Sequence, residues 1–215
     1  MIEFIRIIID FCTHIDKYLG ILISSYGPLV YLILFIVVFC ETGLIIFPFL
    51  PGDSLLFIAG AFAAKGDLNI VFILILLSLA AILGDTFNYS LGRKIGNNIY
   101  RLGKGKLINP SHIDKTKMFF DKHGGKAIII ARFIPIVRTF APFVAGTGKM
   151  NYSKFLSYNI VGGLMWAFIF TFTGFFFGNL PFIQENFSLI IYGIVASSLL
   201  LPIITFIKNK AKKMN

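Results

Sequence analysis

Charge is what this chain has least of. Of its 215 residues only 14% are charged, against 57% hydrophobic and 16% aromatic, where a soluble domain carries about 25% charged side chains. Acids are scarcer still, ten against twenty bases. The two cysteines, Cys12 and Cys40, sit in amphipathic and apolar surroundings and give neither a disulfide framework nor a metal-ligand spacing. The three histidines, His14, His112 and His123, all lie outside the apolar segments that carry charge, which leaves no His-centred nucleophile or metal site there. No glycine-rich nucleotide loop occurs. Nor is a signal peptide expected, since Glu3 interrupts the basic start and no unbroken apolar run precedes Lys17. These absences argue against an enzyme, against a cofactor and against ATP as a source of work.

What is present is oil in long runs. The runs 29–47, 68–92, 155–178 and 187–207 each approach or exceed the length a spanning helix needs, about 20 residues. The expectation is an all-α integral membrane protein. Its formal charge of +10 is arranged to match: nine of the twenty bases fall between Arg93 and Lys126, and Lys208, Lys210, Lys212 and Lys213 close the chain. Both clusters flank apolar runs, so they read as cytoplasmic, in contact with anionic lipid rather than nucleic acid. At the start, Glu3, Arg6, Asp10, His14 and Lys17 recur three and four apart opposite Ile2, Ile5, Ile9, Cys12, Ile15 and Leu19. That pattern predicts an amphipathic interfacial helix within residues 1–25. In the basic segment, Ser111 with Asp114 three residues on marks a capped helix start, and Gly124-Gly125 its end.

Two apolar segments contain both charge and helix breakers. Residues 42–64 hold Asp53 beside Pro48, Pro51 and Gly52, with Glu41 immediately upstream; residues 127–148 hold Arg132 and Arg138 with Pro135 and Pro142. A broken backbone facing lipid would leave its polar groups unsatisfied, so both segments read as re-entrant hairpins buried in protein. If 127–148 crossed the bilayer, Lys149, Lys154 and the lysine tail would lie outside, against the positive-inside rule; if it dips and returns, all are cytoplasmic. The same reasoning brings the first hairpin in from the outer face and leaves both termini cytoplasmic. Phe57-Ile58-Ala59-Gly60 and Phe143-Val144-Ala145-Gly146 lie 86 positions apart, and Gly92 matches Gly178 at that same offset, which suggests a duplication of inverted topology. The organisation expected is one membrane domain over 26–207. It comprises a first half 26–92, the basic cytoplasmic segment 93–126, a second half 127–207, and a basic tail 208–215.

An ionisable group at the bilayer centre costs roughly 2.5–3.5 kcal/mol even on a lenient scale, so it marks a site by default. Arginine carries a permanent charge and a planar fork of donors matched to phosphate or carboxylate. Arg132 and Arg138, six apart, suit one phosphate-bearing headgroup. Carboxylates at low dielectric load and release protons in response to nearby charge, which makes Glu41 and Asp53 the candidate coupling acids. Asp85, with Asn88 and Tyr89 a turn on, forms a second tier. Gly52, Gly60, Pro51, Pro135, Pro142 and Gly146 serve as backbone devices for turns and close approach. The bland alternative is that the four charges are buried ion pairs that only hold the hairpins together.

The stretches Phe39-Cys40-Glu41-Thr42-Gly43-Leu44, Phe47-Pro48-Phe49-Leu50-Pro51-Gly52-Asp53-Ser54, Gly84-Asp85-Thr86-Phe87-Asn88-Tyr89 and Ala131-Arg132-Phe133-Ile134-Pro135-Ile136-Val137-Arg138 closely resemble the bacterial DedA family of the SNARE-associated (VTT-domain) superfamily. The likeness runs from about Phe11 to Lys208. It implies a multi-pass inner-membrane protein with two opposed hairpins that moves lipids between leaflets, undecaprenyl phosphate in some members and phosphatidylethanolamine in others. The family's functional acids fall on Glu41 and Asp53, and its functional arginines on Arg132 and Arg138. The expected partners are lipids and protons, with a homo-oligomer left open. Two other readings remain: a scaffold for envelope or division machinery, and a proton-coupled exporter of small cations, which would give the arginines no task.

Overall fold

The computed structural model describes residues 20, 21, 23, 25–44, 52–95, 118, 120, 123–178 and 180. The interfacial helix proposed within 1–25, the capped start at Ser111, most of the basic segment 93–126, Pro51, the link 179–186, the last span 187–207 and the tail lie wholly or mainly outside the described residues. Within them the chain is helical: α1 (Leu29–Gly43), α2 (Gly52–Ala64), α3 (Ile70–Ile95), a 3-10 turn (Gly124–Lys126), α4 (Ala127–Ala131), α5 (Pro135–Thr147) and α6 (Tyr152–Gly178).

Helices α3 and α6, of 26 and 27 residues, are long and apolar enough to cross a bilayer. Their faces are arranged for lipid. On α3, Val71, Phe72, Ile75, Leu79, Leu83 and Phe87 form an exposed stripe at helical spacing, while Asp85 and Asn88 are buried. Such a stripe exceeds the scattered apolar exposure of a water-soluble monomer. The first apolar run supplies α1, a 15-residue helix ending at Gly43, so Glu41 and Thr42 belong to its last turn.

The chain divides into two compact units. The first contains Met1–Leu34, Phe49–Ile73 and Ile169–Asn215. Here α2 packs on the end of α6 through glycines. A Cβ on Gly174 would fall on the Phe57 carbonyl, one on Gly60 on the Thr171 carbonyl, and one on Gly178 would come within 2.7 Å of the Ala61 backbone. In a bilayer, where apolar burial gives no drive, such close backbone approach supplies the packing contact. Gly66, at φ +87, ends α2 in the left-handed region that favours glycine. Asn69 then caps α3, its Oδ1 accepting from the Phe72 N–H at 3.0 Å.

The second unit contains Phe35–Pro48 and Leu74–Phe168, and α5 is seated on α3 in the same way. A Cβ on Gly92 would fall on the Phe143 carbonyl, and one on Gly146 on the Tyr89 carbonyl. Gly43 of α1 and Gly84 of α3 also meet, with 3.3 Å left for a Cβ. Tyr89 lies stacked on Phe155 at 4.3 Å between ring centroids, and its hydroxyl donates to the Met150 carbonyl, fastening the α5–α6 connection. Asn151 caps α6 by accepting from the N–H groups of Ser153 and Lys154.

Candidate functional site

The second unit gathers most of the charge. Its framework is the break between α4 and α5. The N–H groups of Arg132, Phe133 and Ile134 bond back to the carbonyls of Ile129, Ile130 and Ala131 as a turn, and Ile134 is extended at φ −117, ψ 106. The cause is Pro135, which occupies the first helical position and forces the residue before it out of helix. Arg132 therefore lies in the turn and Arg138 in the first turns of α5. Pro142, inside α5, has no N–H to offer the Arg138 carbonyl.

Each arginine meets an acid from a different helix. Arg138 pairs with Glu41, in the last turn of α1; the arginine side chain is 11% exposed and the carboxylate 1%. The Arg138 guanidinium also lies 5.4 Å from the ring centroid of Trp166 on α6, within cation–π range. Arg132 pairs with Asp85 of α3 at 2.6 Å, both side chains under 5% exposed. Its Nη2 donates to Asn159 Oδ1 as well. The Asn159 amide is oriented by α3, its Nδ2 donating to the Ile82 carbonyl at 3.0 Å and to Thr86 Oγ1 at 3.3 Å, so the oxygen is the end left for Arg132. Room for the guanidinium comes from Gly162 and Gly163, whose Cβ positions would meet Arg132 Cδ at 3.1 Å and Nη2 at 3.4 Å. Beside this, Asn88 Nδ2 bridges the carbonyls of Thr42 at 3.2 Å and Thr139 at 3.0 Å, tying α1, α3 and α5 together.

Of the residues singled out from sequence, Glu41, Asp85, Asn88, Tyr89, Arg132, Arg138 and Gly146 come together in this unit. Asp53, half-buried in the first turn of α2, belongs to the other unit with Gly52 and Gly60. Asp85, placed in the second tier by the sequence reading, is buried and is the acid on Arg132. Tyr89 serves the α5–α6 connection. Asn159 and Trp166 had gone unremarked; each is a solitary signal, an amide in an apolar run and the chain's only tryptophan. Among the described residues no cluster of three or more metal-ligating side chains occurs.

A VTT-domain family model matches residues 50–176. The chain is 50% identical over 210 residues to Protein DedA of Escherichia coli, covering 97% of this chain and 96% of that one. It is 41% identical over 165 residues to an uncharacterized membrane protein of Mycobacterium leprae, covering 77% and 74%. It is 39% identical over 160 residues to the inner membrane protein YqjA of Escherichia coli, covering 74% and 71%. No solved structure gives a significant match.

Proposed function

We propose, from the premise that this chain belongs to the DedA family of VTT-domain membrane proteins, that it moves an anionic lipid phosphate, such as undecaprenyl phosphate, or another phospholipid between leaflets at the expense of the proton gradient. The observation that carries this reading is the Glu41–Arg138 pair against Trp166, a permanent cation in a broken apolar segment met by an acid from α1. A buried ion pair is a poor source of stability, because desolvation competes with attraction; a phosphate that replaces the carboxylate gives the arginine a task. In this reading the arginine charge of the 132–138 segment receives the phosphate, and Glu41 and Asp53 take up and release the coupled protons.

The segments 42–64 and 127–148 are read as opposed re-entrant hairpins of an inverted repeat, with both termini cytoplasmic. Support for duplication comes from the seating of the arms. Phe57 and Phe143 correspond at an offset of 86, and their glycine partners Gly174 and Gly92 at 82, one helical turn less. Gly178, matched to Gly92 by sequence, instead meets Ala61, one turn beyond Phe57.

The scaffold alternative draws on one observation, that Arg132 is fully enclosed by protein. Reconstitution in liposomes with a fluorescent lipid phosphate and an imposed pH gradient separates the two. Transfer should follow the gradient, and Arg138→Lys, which keeps the charge and loses the planar fork, should slow it by about tenfold or more. Wild-type liposomes that transfer no faster than empty ones remove the transport reading.

A further inference from the structure

The two arginines differ in every respect that matters to a ligand. Arg138 is the more open, and an aromatic ring stacks near it. Arg132 is held on both sides: Asp85 and Asn159 take its Nη2, and Gly162 and Gly163 close over its stem. Its Nε is buried with no acceptor among the described residues, and a Cβ on Gly162 would sit 3.3 Å from it, so this donor too faces protein. The acceptor set is built rather than incidental, since the Asn159 amide has both its contacts to α3 made through nitrogen.

Resting on the lipid-phosphate reading, we propose that the arginines divide the work. Arg138 contacts the phosphate, whereas Arg132 is a positioning residue. Locked to α3 through Asp85 and to α6 through Asn159, it anchors the turn from which α5 departs, and so fixes where Arg138 points, six residues on. Asp85 is then the acid that completes this anchor, distinct from the acids that carry protons.

A rescue experiment tests the division. A positioning pair can be replaced by a neutral, hydrogen-bonding pair, because removing both charges leaves no buried charge uncompensated; a phosphate-binding arginine cannot. Full-length protein in detergent is titrated with dodecyl phosphate and, in parallel, with inorganic phosphate, reading the emission of Trp166, the only tryptophan. The parallel arms tell a headgroup that needs its tail from free phosphate. Arg132→Gln should weaken dodecyl phosphate binding by roughly tenfold or more, and Arg132→Gln with Asp85→Asn should return it to within about threefold of wild type. Arg138→Gln with Glu41→Gln should not bind. The proposal is overturned if the Arg132/Asp85 double variant is monodisperse and still as defective as Arg132→Gln, if Arg132→Gln alone binds like wild type, or if the Arg138/Glu41 double variant binds. Wild-type protein with no response to either probe overturns the phosphate reading itself, a result distinguishable from failed rescue.

Discussion

Helices α2 and α5 are seated by one device and equipped for different ends. In each, a phenylalanine carbonyl, of Phe57 or Phe143, lies against a glycine of a long helix, and a glycine less than one turn on, Gly60 or Gly146, lies against that helix's backbone. Beyond the seat they part. Ten of the thirteen residues of α2 are buried, and apart from Asp53 and Ser54 all are apolar or glycine. α5 instead carries Arg138, Thr139 and Pro142, and its entry turn carries Arg132. Packing rules are therefore common to both arms, while the two arginines belong to α5 and the turn that enters it.

The largest effect expected is on the shared seat. Gly60→Ala and Gly146→Ala each place a methyl group on a backbone carbonyl oxygen of a long helix, and backbone cannot step aside as a flexible side chain can. Each should cost at least about 3 kcal/mol, the upper end for overpacking, and so lower the thermal unfolding midpoint in detergent by roughly 6–12 °C. Gly20→Ala, where the nearest atom is Phe62 at 3.7 Å, should leave the midpoint unchanged. If Gly60→Ala were tolerated and Gly146→Ala were not, the seats would not be equivalent.

The seats were partly legible in the sequence, and the pairings were not. Phe-x-Ala-Gly appears twice and can be read as a repeat, because side-chain identity at a glycine contact is nearly fixed by space. The break before α5 was legible too, since Pro135 dictates the conformation of Ile134. That Arg132 takes Asp85 rather than Glu41 or Asp53 depends on which faces of α1, α3 and α6 surround the turn, a non-local matter. Asn159 is illegible for the same reason, being informative only once Ile82 and Thr86 are seen to hold its amide. The end of α1 at Gly43 was missed because apolar composition marks an oily run without marking where its helix stops.

A smaller effect, on coupling rather than folding, sharpens the contrast between the acid of α1 that meets α5 and the acid carried by α2. Glu41→Gln keeps the shape of the partner to Arg138 and cannot cycle a proton, so lipid transfer in liposomes should persist while its response to an imposed pH gradient disappears. Asp53→Asn, on the arm without arginine, should also remove the gradient response if both acids carry protons. Undiminished gradient dependence in Asp53→Asn with loss in Glu41→Gln would confine coupling to the unit that holds the arginines. Undiminished dependence in Glu41→Gln would exclude that residue as the coupling group.

The smallest effect expected is at Pro142, the one clear backbone difference inside the two arms: α2 runs from Gly52 to Ala64 without an interior proline, and α5 has one four residues beyond Arg138. Proline there removes the donor that would close the helical bond to the Arg138 carbonyl and crowds the same group. Alanine restores the donor and should stiffen the turn that carries the arginine. Pro142→Ala should therefore raise stability, by about 1 kcal/mol, and slow lipid transfer by about twofold, the usual exchange between rigidity and activity at a working site. The thermal midpoint and the liposome transfer rate, measured on the same preparation, check both signs. A variant that is more stable and transfers as fast would show Pro142 to be a feature of packing alone, leaving Arg138 and its partners as all that separates the chemistry of α5 from that of α2.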